Sequence, residues 1–435
     1  MVVAVFAVVA VAAGTWFALS SRGSSDVSAN QGEQVTQEEQ QSPSADEQTS
    51  GENGESAPET EESQTEGEKD EGSPEGTDNE SGTPEGVSEE VTEKMASMTL
   101  EQKVAQLFIV RPEALTGVGQ VTAAGETTRA ALADMPVGGI VYFADNLIDT
   151  DQTMQMLSNT MSYGMEANGL PLFLCVDEEG GTVSRVGGNP GFGVDNVGNM
   201  SEVGATGDTE HAYEVAKHIG TYLDYLGFNV DFAPDSDIAN NPDGTMGLRS
   251  FGATADVVSP MVAAQVRGFT DAGVLCSAKH FPGIGGALGD SHDARIYSEK
   301  TLDEIRSEEL LPFEAAIEEN VPFVMVGHLS MPNITGDDDP ASISSEIVTD
   351  LLRDELGYDG IIITDSMGMG AATDSLPTDR LGVEPLLAGV DMVLMPADFQ
   401  AAYQGVLDAV ASGELTEERI DESVARILTV KLERL

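Results

Sequence analysis

The sequence holds five histidines. Two of them, with a lysine and an aspartate, flank one glycine-rich segment: KHFPGIGGALGDSH, Lys279 to His292. Pro282 and the glycines at 283, 285, 286 and 289 exclude a regular helix between its ends. Asp290 and His292 are two residues apart, so from an extended backbone both side chains point the same way. A carboxylate hydrogen-bonded to one imidazole nitrogen fixes the tautomer and favours the charged ring. Such a pair is a proton donor suited to near-neutral pH. On spacing alone, a solvated loop with a chance Asp-x-His reads equally well. If the pair is functional, the glycines are expected to let it swing over a pocket, with Lys279 and His280 fixed beneath. Asp365, in IIITDSMGMGAA, is the other sharp position. An apolar run delivers it, and the small residues that follow leave room beside its carboxylate. It reads as a reactive carboxylate or as the N-cap of the segment after Gly368.

These residues need a scaffold, and the apolar runs supply one. They are QLFIV (106–110), GGIVYF (138–143), PLFLCV (171–176), FNVDFA (228–233), VLCSA (274–278), PFVMVG (322–327), GIIIT (360–364) and DMVLM (391–395). They lack clean alternation, as strands buried on both faces do. Helical patterns lie between them, notably 255–272, 302–320 and 416–435, the last opening at Thr416 and carrying Lys431 and Arg434 in its final turns. Eight strand–helix repeats predict a closed (β/α)₈ barrel of the TIM type. A doubly wound open sheet is the competing fold, weakened because no GxGxxG follows the first strand. In a barrel the active site lies at the carboxyl ends of the strands. Here those ends carry Arg111, then Asp177-Glu178-Glu179, then Asp235 and Asp237, then Lys279-His280, His328 and Asp365. Ionisable groups at most strand ends point to one shared pocket.

Composition bounds the partners. With 76 acidic and 20 basic residues the formal net charge is −56, so nucleic acid and anionic lipid are poor partners. Residues 2–19 carry no charge, and 1–20 are expected to be a signal peptide or a membrane anchor, giving an extracytoplasmic protein that is secreted or in contact with a membrane through this segment. Residues 21–92 are expected to be a disordered acidic linker, and 93–435 the folded domain, acting as a monomer. Cys175 and Cys276 fall in different strand runs and are expected to be reduced and buried. His280, His292, His328 and Asp290 could supply metal ligands. Barrel metallohydrolases, however, often open with two histidines at the first strand, and none occurs here before His211. No metal and no organic cofactor are expected. His211 and His218 read as ordinary helix residues.

Four motifs together resemble glycoside hydrolase family 3, in its β-N-acetylhexosaminidase branch: VDEEGGTVSRV (176–186), GLRSFG (247–252), KHFPGIGGALGDSH and ITDSMGMGA (363–371). The resemblance covers about residue 93 to 435. It implies that Asp365 is a nucleophile and His292 a general acid/base oriented by Asp290. It also implies that Asp177, Arg185, Arg249, Lys279 and His280 bind a small carbohydrate substrate. Ile284 stands where the family often has a second histidine and Thr182 where it often has an arginine, which puts fine substrate contacts in doubt. Many relatives acting on glucosides take the acid/base from a second domain. In a chain ending at Leu435, the glycine-rich loop is the expected supplier. The resemblance thus implies a retaining exo-β-N-acetylglucosaminidase acting on wall fragments or chitin-type oligosaccharides, with water or phosphate as acceptor. A family 3 β-glucosidase or xylosidase, or a non-catalytic wall-binding barrel, stands as the alternative. Should His292 not donate the proton, Glu178, Glu179 and His328 are the reserve candidates.

Overall fold

The computed structural model describes residues 87–241, 244–287 and 289–435. Strands β1 (Phe108–Val110), β2 (Gly139–Val141), β3 (Phe173–Val176), β4 (Val230–Asp231), β5 (Leu275–Phe281), β6 (Ile296–Tyr297), β7 (Phe323–Val326), β8 (Leu329–Ser330), β9 (Ile361–Thr364) and β10 (Val393–Leu394) follow in chain order. Eight of them form one sheet in the order β10-β1-β2-β3-β4-β5-β7-β9. All its pairings are parallel, with register such as Ile109 opposite Gly139 and Val324 opposite Ile362. A parallel bridge between Ile363 and Met392 closes the ring, and the Leu394 amide donates to Thr364 Oγ1 at 3.0 Å. This is the (β/α)₈ barrel the apolar runs predict. β5 runs past its apolar run to Phe281, and the other seven strands are shorter than theirs.

β6 and β8 form a separate parallel pair beside the barrel that the sequence did not signal. Ile296-Tyr297 has no apolar run around it. The expected helix over 302–320 is also two helices, Leu302–Ser307 and Leu311–Glu318. Pro312 cannot donate to the carbonyl four residues earlier, and it stands in the first turn of the second helix, where that bond is not needed. Ala255–Ala272 and Glu417–Arg434 form as predicted, the latter capped by Thr416 Oγ1 accepting from the Arg419 amide at 3.1 Å. His211 and His218 are exposed on the helix Thr209–Leu226.

The expected linker runs to residue 92, but a helix, Glu89–Ala96, already begins inside it. Ser88 caps that helix and Val91 and Met95 are buried, which the acidic composition around them conceals. The remainder of the linker and the apolar segment 1–20 lie outside the described residues. Among the described residues no helix is long and apolar enough to cross a membrane. Cys175 on β3 and Cys276 on β5 are free and buried, with β4 between them, as expected. Burial pushes the Cys276 thiol up to about 12.

Two ionic groups seal the barrel floor. Asp391, fully buried ahead of β10, accepts from Arg353 Nη2 at 2.7 Å, Arg426 Nη1 at 3.1 Å, Ser423 Oγ at 2.8 Å and the Ile362 amide at 3.0 Å. Lys431, which the sequence places in an ordinary last turn, is instead buried. Its ammonium donates to Gln106 Oε1 at 2.8 Å and Gly138 O at 2.7 Å and lies 4.8 Å from the centre of the Phe173 ring. Among the described residues no carboxylate pairs with it, and burial lowers its pKa to about 7. Below about 7 both folded and unfolded chains bind this proton. Between about 7 and the ~10.4 of a free lysine only the unfolded chain does, so stability from this group rises with pH across that window. The unfolding free energy of the native protein minus that of Lys431→Met should therefore increase from pH 7 to pH 9.5 in urea melts. A difference that is flat or falls with pH would contradict the buried, uncompensated ammonium.

Candidate active site

The carboxyl ends of β3, β4, β5 and β9 converge on a cluster of buried charge. Glu179, after β3, is 3% exposed and has no access to bulk water to solvate it. Its carboxylate instead receives two parallel bonds from Arg249, Nε at 2.8 Å and Nη2 at 2.7 Å, and an ion pair from Lys279 at 2.6 Å. Lys279 reaches on to Asp177 Oδ1 at 2.9 Å. Burial works against every charge here and the neighbours outweigh it. Lys279 and Arg249 hold the Glu179 carboxyl well below the usual range, and Asp177 and Glu179 hold the Lys279 ammonium above its own. Such bidentate, charge-assisted geometry fixes direction as well as charge.

His280, in β5, is fixed from the other side. Its Nδ1 lies 2.7 Å from Asp237 Oδ2, and a carboxylate only accepts, so Nδ1 carries the proton. Nε2 then faces Arg249 Nη2 at 3.4 Å. Against the cost of burial, Asp237 holds the ring above its ordinary pKa. Asp237 also takes the Ile284 amide at 2.6 Å, which ties the glycine-rich loop to the segment after β4. Beside it Asp235 is buried, and burial together with the Asp237 charge pushes its carboxyl up to about 7.

Asp365 follows β9, and its N-cap reading fails: the next helix is Gly370–Thr373, with Met369 at its N-cap. Neighbouring amides hold the turn instead. The Asp365 amide donates to Val326 O and the Met367 amide to Leu394 O, both at 2.8 Å, while the Ser366 amide donates to Asp365 Oδ1 at 2.7 Å. Burial opposes ionisation of Asp365, but the nearby His280 ring and this amide keep its carboxyl below the ordinary value.

The glycine-rich loop is anchored, where a swinging one was expected. A Cβ on Gly285 would lie 2.2 Å from Ile238 O, and one on Gly286 2.6 Å from Asn240 Oδ1. These glycines serve close packing on the segment after β4. At the far end the Gly370 amide donates to His292 O at 3.0 Å and the Ala371 amide to Ser291 O at 3.2 Å. The loop is thus clipped to the segment that carries Asp365. On it Asp290 Oδ1 accepts from both the His292 amide, 2.9 Å, and His292 Nδ1, 2.8 Å. The amide bond above all lowers the Asp290 pKa. Both side chains remain solvent-accessible. His292 borders a cleft of about 550 Å³ shared with Arg111, Phe143, Ser366, Met369 and Met395. Arg185 stands at the edge of the constellation, its guanidinium 5.7 Å from the centre of the Phe143 ring, with Arg111 at 5.0 Å from the same ring.

Residues 99–430 match the family model described as glycosyl hydrolase family 3 N terminal domain. The chain belongs to glycosyl hydrolase family 3. It is 35% identical over 340 residues to beta-hexosaminidase A of Pseudoalteromonas piscicida, a match covering 70% of this chain and 56% of that one. To beta-hexosaminidase LpqI of Mycobacterium tuberculosis it is 33% identical over 350 residues, 77% of this chain and 84% of the relative. A solved family 3 beta-N-acetylglucosaminidase from Paenibacillus sp. str. FPU-7 superposes with a TM-score of 0.73 at 38% identity, covering 78% of this chain and 63% of that one. The chain therefore spans little more than half of the first of these relatives.

Within this family 3 barrel the reserve proton donors are all committed elsewhere. Glu178 accepts from the amides of Arg185, Val186 and Gly187 and the hydroxyls of Ser184 and Tyr222, and so shapes the loop after β3. Glu179 is held by two cations, and both nitrogens of His328 are bonded inside the protein. Sequence reasoning named Asp235 and Asp237 only as strand ends. It did not pair Asp237 with His280, which no spacing reveals because 43 residues separate them. Asp235, Asp237 and His280 could hold a divalent cation, their donor atoms lying within 4.8 Å of one another. Arg249, 3.7 Å from Asp235, already supplies positive charge there, and the Asp237–His280 bond uses the proton a metal would displace. These residues therefore fit a metal centre poorly.

Hydrogen bonds to charged groups contribute roughly 1.5–3 kcal/mol, or about 10–100-fold in a rate constant. Glu179→Gln, which keeps the shape and removes the shared anion, should lower kcat/KM by about that factor on every substrate, whatever its leaving group. Steady-state kinetics on two aryl glycosides of different leaving-group pKa would check this. A change below threefold would show that Arg249 and Lys279 are positioned without it.

Proposed function

We propose that this protein removes terminal N-acetylglucosamine by a retaining mechanism, with Asp365 as nucleophile and His292 as acid/base oriented by Asp290. The reading rests on one observation: an Asp–His pair bonded at 2.8 Å and clipped by backbone hydrogen bonds to the segment that follows Asp365. The names of the β-hexosaminidase relatives support the sugar. Asp177, Lys279, Arg249 and His280 would hold the sugar hydroxyls, with Arg185 at the rim.

In the first half-reaction an Asp365 oxygen bonds to the anomeric carbon as the glycosidic C–O bond breaks. The His292 Nε2 proton passes to the departing oxygen. In the second, Nε2 takes a proton from water, the water oxygen attacks the anomeric carbon, and the bond to Asp365 breaks. Asp290, bonded at Nδ1, leaves Nε2 as the nitrogen that exchanges protons. The apolar residues 2–19 support export or membrane tethering, the acidic residues of 21–92 support a spacer, and wall-derived or chitin-type oligosaccharides are the substrates we propose for a monomer in that location.

Nitrophenyl glycosides with and without a 2-acetamido group test the sugar, and equal or better turnover of the glucoside or xyloside would refute it. His292→Ala should slow substrates with poor leaving groups by ~10²–10⁴-fold and activated aryl glycosides far less, because only the former need protonation. Asp290→Ala should follow the same pattern more mildly, and Asp365→Ala should abolish both. If His292→Ala slowed both classes equally, His292 would be a binding residue.

A further inference from the structure

His328 stands between β7 and β8 and is 1% exposed. The sequence offers it as a metal ligand or spare acid, and the structure supports neither. Its Nε2 lies 2.9 Å from Ser366 O, a backbone carbonyl that only accepts, so Nε2 carries the proton. Its Nδ1, at 2.7 Å from Ser342 Oγ, then accepts from that hydroxyl. Burial lowers the ring's pKa, which keeps this neutral tautomer.

Ser366 is the residue whose amide donates to the Asp365 carboxylate. The Asp365 and Met367 amides are held by Val326 and Leu394 on the two neighbouring strands. The Ser366 carbonyl accepts from the Met369 amide at 3.1 Å and, across the site, from His328 Nε2 at 2.9 Å, so the histidine ties this turn to the segment after β7. We propose that His328 is a positioning residue for the nucleophile. Anchored by Ser342, it fixes the Ser366 peptide and so the direction from which the Ser366 amide meets the Asp365 carboxylate. Glycosylation requires one carboxylate oxygen aimed at the anomeric carbon, and a misplacement of ~1 Å can cost about 10²-fold. His328 touches no reacting atom, so it acts on kcat through geometry and leaves sugar affinity alone.

The inference rests on Asp365 being the nucleophile. Glutamine places its amide nitrogen the same number of bonds from Cβ as His Nε2, and asparagine places it where Nδ1 lies. His328→Gln therefore retains a donor to Ser366 O and His328→Asn does not, although both put an amide in the same buried site. We expect His328→Asn to lose about 10–100-fold in kcat. The loss should be equal on activated and poor leaving groups, with KM within threefold of native, and His328→Gln should recover most of it. Ser342→Ala should show a smaller loss of the same kind. Thermal midpoints for the two amide variants are expected to be similar, which separates positioning from folding. If His328→Asn does not fold, Ser342→Ala against native decides: an unchanged kcat overturns the proposal. Equal kcat in the two amide variants, a loss confined to KM, or one that tracks leaving-group pKa also overturns it. Failure of the underlying reading looks different, since Asp365→Ala would then retain turnover.

Discussion

The mouth of this barrel depends on a single buried carboxylate shared between two cations. Glu179 is held by Arg249 and Lys279, and through them it sets where Asp177 and His280 stand. Burying an ion costs several kcal/mol unless partners replace water almost completely. Here a bidentate guanidinium and an ammonium do so, and the geometry leaves little choice of rotamer. The cluster combines side chains from beyond β3, from within β5 and from the loop before Ala255–Ala272. A network of that kind needs β3, β4 and β5 side by side.

Much of the fold was legible because buried parallel strands write themselves as short apolar runs. All eight runs seeded strands, and the closing bridge between Ile363 and Met392 needs nothing that IIIT and DMVLM do not contain. β6 and β8 were not legible, since two-residue strands leave no pattern. The broken helix at Pro312 was legible in principle. The proline was visible, and its cost to the preceding turn outweighs the apolar spacing that suggested continuity.

The site divides in the same way. Asp290 and His292 are neighbours in sequence, so their pairing could be read from spacing, and the 2.8 Å contact bears it out. Asp365, Lys279 and His280 stood out by their place at strand ends. Partners brought together by tertiary folding could not be found so. Asp237 beneath His280, Ser342 behind His328 and Tyr222 on Glu178 each depend on separations of 14 to 44 residues. The loop glycines had two physical meanings available, freedom and closeness. Only the coordinates of Ile238 and Asn240 decide between them.

The clip between His292 and Gly370 couples two segments of the site mechanically. The glycine-rich loop and the turn after β9 share a pair of backbone hydrogen bonds, so a displacement of one carries the other. The spacing between His292 and Asp365, the residues we propose as acid and nucleophile, is thus set by local peptide geometry. In the mechanism we propose, exposure of the imidazole lets the attacking water reach the nitrogen that deprotonates it, on a support held by backbone hydrogen bonds.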